Sequence, residues 1–146
     1  MTLVYPGTFD PFTRGHHAIV MRASLLADRL IVAVGQNSAK ESLFPIQERL
    51  EAIRRLYTAM PHIETVSYGG ELTADFVRSC GNDAVILRGV RSFSDFEYEQ
   101  TVAEVNRRLN GVETILLFAE PTCAHISSTV VRELMRYGKD VSEYLP

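Results

Sequence analysis

The sequence predicts a single α/β domain over residues 1–146: a doubly wound, parallel five-stranded sheet with helices on both faces. Three observations predict it. Short β-rich runs alternate with helix-period segments along the whole chain. Several of these runs are apolar at every position, as in strands covered on both faces. No repeat, low-complexity tract or linker interrupts the alternation. The length suits one domain with one well-formed core.

The elements follow in order. Leu3–Tyr5 is the first strand, reached directly from Met1-Thr2 without the basic and apolar segments of a signal peptide. A first helix opens at Gly15-His16, and Leu30–Val34 is the second strand. Ile46, Leu50, Ile53, Tyr57 and Met60 then step by fours and threes, which predicts a helix with one apolar stripe. Ile63–Ser67 and Ala84–Leu87 are the third and fourth strands, with a helix between them. Tyr98, Val102, Val105 and Leu109 repeat the helical steps, and Ser94-Asp95-Phe96-Glu97 has capping-box spacing. Thr114–Phe118 is the fifth strand. A last helix begins near Ser127 and carries Val130, Val131, Leu134 and Met135. Crossovers between parallel strands are right-handed, and such sheets bind ligands beyond the carboxyl ends of their strands, where the strand order switches.

Composition narrows the classes of function. The net charge is −3 and no basic stripe is visible, so no nucleic-acid partner is expected. No apolar run approaches the ~18 residues of a membrane span. Cys80 and Cys123 stand alone, which fits a reduced, cytoplasmic chain. No Cys/His/Asp cluster has zinc spacing, and there is no GxxxxGK[ST] phosphate loop.

Chemistry-bearing residues gather at four strand ends. The first is Pro6-Gly7-Thr8-Phe9-Asp10-Pro11-Phe12-Thr13-Arg14-Gly15-His16. Its glycine permits close backbone approach, Thr8 offers a hydroxyl, and a helix start there favours an anion. The second is Asn37-Ser38-Ala39-Lys40-Glu41, where Lys40 is either a solvated surface lysine or an anion contact. The third is Arg88-Gly89-Val90-Arg91, followed by Asp95, Glu97 and Glu99. Its arginines suit a phosphate chain or, equally, pair with those carboxylates. The fourth is His125-Ile126-Ser127-Ser128-Thr129, whose hydroxyls exceed what one helix cap requires. His62 reads as a turn residue, and His17 as facing solvent or a neighbouring helix.

Together these strings resemble the nucleotidylyltransferases with an HxGH or TxGH motif, here Thr13-Arg14-Gly15-His16. Tyr5-Pro6-Gly7-Thr8-Phe9-Asp10-Pro11, the Arg88–Glu99 string and Ile126-Ser127-Ser128-Thr129 narrow the likeness to the bacterial phosphopantetheine adenylyltransferases, over essentially the whole chain. The resemblance implies a Rossmann-like fold, a homohexamer, and Mg²⁺ bound mainly through ATP phosphates with no protein ligand assigned. It implies transfer of AMP from ATP to 4′-phosphopantetheine, giving dephospho-coenzyme A and pyrophosphate. Residue by residue, it places Thr8, Lys40 and Arg88 at the acceptor phosphate and Thr73 at the pantetheine. It places Thr8, Phe9, His16, Gly89, Val90, Arg91, Glu99, Cys123, Ala124, His125, Ile126, Ser127, Ser128 and Thr129 at ATP. His16 takes the place of the transition-state stabiliser, and Lys40 and Arg91 join it as catalytic cations. Cys123 stands where many relatives carry an aromatic residue, Thr129 where serine is common, and Thr73 where a larger apolar residue is common.

The chemistry is consistent with that assignment. A phosphate monoester has a second pKa of about 6, so the acceptor is already an anion and needs no base. Cations must instead offset its repulsion with a triphosphate and hold the two in line. The alternatives are a sibling transferase acting on nicotinamide mononucleotide or a cytidylyl acceptor, a nucleotide-binding module without turnover, and a structural interaction protein.

Overall fold

A computed structural model describes residues 1–37 and 39–146. The strands are β1 (Thr2–Gly7), β2 (Arg29–Gln36), β3 (Ile63–Gly69), β4 (Ala84–Val90) and β5 (Thr114–Phe118). The helices are α1 (Arg14–Ala23), α2 (Ile46–Leu56), α3 (Thr73–Cys80), α4 (Phe93–Asn110) and α5 (Ser128–Arg136). All five strands are parallel, in the order β3-β2-β1-β4-β5. The chain winds outward from β1 to β3, returns to the other side of β1, and continues through β4 to β5. The reversal therefore falls between β1 and β4, which is where such a sheet opens a crevice for a ligand.

Strand alternation sends successive side chains to opposite faces. Leu3 and Tyr5 pack with Ile19 and Val20 of α1 and Leu50 and Ile53 of α2. Val4, Ile31 and Ile86 pack with Val77 of α3 and with Val112. Both faces are covered, which is why β1 is apolar over Leu3–Tyr5 and β2 over Leu30–Val34. A third cluster joins Ile126 and Val131 to Ala18 of α1. It seats α5 beside α1, and the Ser128 hydroxyl donates to the Pro11 carbonyl at 2.8 Å.

Some boundaries differ from the expectations. β1 runs on to Gly7 and β4 to Val90, because Arg88, Gly89 and Val90 pair in register with Leu116, Leu117 and Phe118 of β5. The Arg88-Gly89 pair thus belongs to the strand itself. α2 stops at Leu56, and Met60 turns back to donate to the Tyr57 carbonyl at 2.9 Å. The cap of α4 is Ser92, whose hydroxyl accepts from the Asp95 amide at 3.1 Å, so Ser94 already lies inside the helix. The α4 stripe does not face the sheet: Tyr98, Val105 and Leu109 are 66%, 50% and 62% exposed. The buried residue of α4 is Glu99, held by Arg88 of β4, and the apolar stripe borders an open cleft instead. Among the described residues, no helix is long and apolar enough to cross a membrane.

Candidate active site

Two clefts open at the carboxyl ends of the strands. One, of about 410 Å³, lies between the β1–α1 loop, the end of β4 and the start of α5. The other, of about 680 Å³, lies between the ends of β1 and β2, the start of α3 and the stripe of α4. Their common wall includes Gly7, Thr8, Arg88 and Glu99. Both volumes fall in the range of small-molecule sites, roughly 300–1,000 Å³. Thr8 and Arg88 therefore stand where two ligands, one in each cleft, would meet.

The β1–α1 loop builds one wall of the smaller cleft. Thr13 caps α1, and its side chain and backbone amide engage His16 in a reciprocal box. The Thr13 amide donates to His16 Nδ1 at 3.0 Å. Nδ1 is thus an acceptor, and the neutral ring carries its proton on Nε2. Burial, reinforced by Arg91 and Arg88, pushes the imidazole down to about 4. His16 is therefore an uncharged donor at neutral pH. The rings of Tyr5, Phe9 and Phe12 surround it at centroid distances of 6.3, 5.0 and 5.4 Å. Phe9 holds a left-handed backbone at φ 50, which places its ring against Gly7. A Cβ on Gly7 would meet that ring at 2.8 Å, so the glycine is required by internal packing.

The cations are held by named partners. Arg88 Nε donates to Glu99 Oε1 at 2.9 Å, and Nη1 to the Pro6 carbonyl at 2.8 Å. Glu99 thus fixes the guanidinium on the wall shared by both clefts. Arg91 Nη1 donates to the Ile126 carbonyl at 2.8 Å, which ties β4 to the start of α5, and Asp95 lies 3.5 Å from Arg91 Nε. Both arginines pair with carboxylates and at the same time line the smaller cleft. The Ser127 hydroxyl caps α5 by accepting from Val130 N at 3.2 Å. The first amides of α5 have no intrahelical partner and form the positive end of the helix dipole.

Of the residues singled out in the sequence, Phe9, His16, Gly89, Arg91, Cys123, Ile126, Ser127, Ser128, Thr129 and Lys40 line the smaller cleft. Thr73 lines the larger one, where Tyr68 and Thr73 share a hydroxyl hydrogen bond at 3.0 Å. Val90, Ala124 and His125 line neither. Val90 is buried, and His125 is exposed against the Tyr144 ring. Outside the site, His17 stacks on Tyr57 and bonds its hydroxyl at 2.9 Å, so it faces the neighbouring structure of α2. Ser38 lies outside the described residues.

Three residues with no sequence-assigned role hold the site together. Asp10 accepts from the Leu43 and Phe44 amides at 2.8 and 2.9 Å, which anchors the loop that carries Lys40. Arg49 is buried and donates to the carbonyls of Thr8, Gly35 and Phe44 at 2.7, 3.3 and 3.0 Å. Arg132 reaches the Asp10 carbonyl at 2.7 Å and lines the smaller cleft.

A crevice at the strand-order switch, with a neutral histidine donor, clustered arginines and a helix start, has the form of a nucleotide-transferring site. Residues 4–134 match the cytidylyltransferase-like family model, which defines the class. A phosphopantetheine adenylyltransferase from Bacteroides thetaiotaomicron is 49% identical over 143 residues, covering 98% of this chain and 93% of that protein. Its counterpart from Lactiplantibacillus plantarum is 44% identical over 147 residues, covering 100% of this chain and 89% of that one. The chain belongs to the phosphopantetheine adenylyltransferase family and is a nucleotidyltransferase. Among solved structures, a bifunctional NMN adenylyltransferase/ADP ribose pyrophosphatase from Francisella tularensis superposes with TM-score 0.72 at 15% identity, over 99% of this chain and 44% of that one. That likeness shows the fold.

Proposed function

We propose that this protein transfers AMP from ATP to 4′-phosphopantetheine by direct attack of the acceptor's phosphate on the α-phosphorus, releasing pyrophosphate. The observation that carries the reading is the pair of clefts meeting at Thr8 and Arg88. A nucleotide in the smaller cleft and an acceptor in the larger would bring their phosphates together only there. The apolar wall of α4 and Thr73 suit an uncharged arm, and Arg88 with Lys40 suits its terminal phosphate. In-line displacement needs positioning and charge neutralisation, with no covalent intermediate. His16 donates from Nε2 to the oxygen on which charge grows, and its neutrality spares it from being locked to either ground-state polyanion.

Mg²⁺ belongs to this reading as part of the ATP complex. The carboxylates near the arginines are engaged, Glu99 by Arg88 and Asp95 by the Arg91 amide at 3.2 Å, so the donors that fit the ion are the phosphate oxygens. When bound it offsets charge on the leaving pyrophosphate. A cytoplasmic homohexamer completes the proposal.

Pyrophosphate release decides the substrate. Release should require both ATP and 4′-phosphopantetheine. Comparable turnover with CTP, or with nicotinamide mononucleotide as acceptor, would point to a sibling activity and overturn the reading.

A further inference from the structure

We infer that Tyr5 is a second neutral donor in the reaction, its hydroxyl bonding a non-bridging oxygen of the nucleotide's α-phosphate from the floor of the smaller cleft. The inference rests on the nucleotide reading of that cleft and adds a catalytic residue to it. The β1–β4 ladder pairs Thr2, Leu3 and Val4 with Ala84, Val85 and Ile86 and ends there. β1 runs on to Gly7 and β4 to Val90, so the two strands part just after Val4. Tyr5 is the first β1 residue beyond the last of these pairs, at the point where the crevice opens. Its ring packs edge-on to Phe9 at 5.2 Å and lies 6.3 Å from the His16 ring. The residue is only 5% exposed, yet it lines the smaller cleft with His16, Gly89 and Arg91.

The hydroxyl is what singles the residue out. A buried tyrosine ordinarily pairs its hydroxyl. Tyr57 does so with His17 at 2.9 Å, and half-buried Tyr68 with Thr73 at 3.0 Å. Among the described residues the Tyr5 hydroxyl has no hydrogen-bond partner. Nor is it sealed in, because the side-chain polar atoms shut away without a partner are Asn110 Oδ1 and Thr114 Oγ1. It therefore opens onto the cleft. Gly89 borders it: a Cβ there would sit 3.7 Å from the hydroxyl oxygen and 3.2 Å from Ile19 Cγ1, so a glycine at this position leaves the approach clear. Charge decides what docks. Arg88 and Arg91 act on the phenol, and the carboxylate that also acts on it, Glu99, is tied to Arg88. The surroundings thus favour an anionic oxygen. Burial raises the phenol above its usual pKa, so Tyr5 keeps its proton and donates to that oxygen. His16 feels the same two arginines, which puts both neutral donors in one stretch of the cleft. In the proposed reaction that stretch holds the α-phosphorus, between the wall at Thr8 and Arg88 and the start of α5.

Single-turnover kinetics of wild type and Tyr5→Phe, with both substrates saturating, test this. Phenylalanine keeps the ring and its packing on Phe9 and removes only the hydroxyl. The saturated rate should fall by about 10–100-fold, on the scale of a hydrogen bond to a charged group, with little change in ATP affinity by calorimetry. The two α-thio diastereomers of ATP identify the atom that is contacted. Sulfur accepts a hydrogen bond poorly, so one diastereomer should be slowed in wild type. That slowing should shrink in Tyr5→Phe by about the factor that the substitution itself costs, because both changes remove the same contact. A hydroxyl without an internal partner adds nothing to the fold, so unliganded Tyr5→Phe should melt at the wild-type temperature or above it. Identical α-thio effects in the two proteins, a loss confined to ATP affinity, or an unchanged rate would each overturn the inference and leave the nucleotide reading standing. A lowered melting temperature of the unliganded variant would also overturn it, by making Tyr5 a structural residue. A wild type that releases no pyrophosphate from ATP and 4′-phosphopantetheine brings down the nucleotide reading itself, and this role for Tyr5 with it.

Discussion

The hydrogen bond from the Thr13 amide to His16 Nδ1 settles what the imidazole can do, because it leaves the proton on the other nitrogen. With its pKa lowered to about 4 by burial and by Arg91 and Arg88, His16 stays a neutral donor across the physiological range. A donor that acts as charge develops contributes in the transition state, so His16→Ala should lower kcat by roughly 10²–10³-fold with little change in ATP affinity. Single-turnover rates with both substrates saturating check this. Normal turnover in the saturated mutant would make His16 a binding residue. The same shift has a stability consequence. The unfolded ring, near 6.5, binds a proton that the folded ring refuses until about 4, so the contribution is complete above 6.5 and is lost as pH falls toward 4. Chemical denaturation at pH 7 and pH 4.5 should show a smaller decline for His16→Gln than for wild type. The cations divide differently. Lys40→Ala should raise the KM for the acceptor and leave ATP binding nearly intact, whereas Arg91→Ala should mainly damage ATP binding. Titrations giving the reverse pattern would exchange the two roles.

At the scale of elements, Arg49 ties two loops and the end of β2 to α2. It is buried and donates to Thr8, Gly35 and Phe44 carbonyls, at the ends of β1 and β2 and ahead of α2. Arg49→Met would leave buried acceptors unpaired, each costing about 1–3 kcal/mol, so a loss of roughly 2–4 kcal/mol is expected from urea unfolding. Arg49→Lys should recover only part, since an ammonium cannot span the same acceptors. A change within the error of the measurement would mean that the loops hold without the clamp. Arg49 and Arg132 also mark where sequence reading stops. The β1–α1 string and the Arg88–Arg91 string are legible because each packs its chemistry into adjacent residues. Arg49 meets Thr8 across 41 residues and Arg132 meets Asp10 across 122, and no local spacing encodes such pairs. The same holds for α4: its periodicity identifies the helix correctly, yet periodicity alone does not say whether an apolar stripe meets the sheet or walls a cleft. Ser92 and Ser94 both have acidic residues three positions on, so spacing does not choose between them; the extended backbone at Ser92 makes it the cap.

For the whole molecule, alternating strand and helix periods were enough to establish a parallel two-faced sheet, since only that arrangement buries β1 and β2 on both sides. The order β3-β2-β1-β4-β5 adds the switch point, and with it the location of the clefts. Assembly is the remaining property at this scale. Large apolar side chains outside both clefts stay exposed on several elements, including Leu25 after α1, Phe93 at the start of α4 and Phe118 at the end of β5. Closed symmetric assemblies of identical chains are common, and they cover such surfaces. A protein whose fold is stabilised by its own association unfolds at a temperature that rises with concentration, because dissociation and unfolding are linked by mass action. The melting temperature should therefore climb over a hundredfold range of protein concentration. Light scattering on the same samples should give six times the 16.4 kDa protomer mass. A monomer mass at micromolar concentration, with a melting temperature independent of dilution, would refute the hexamer and leave the two-cleft site to function within one chain.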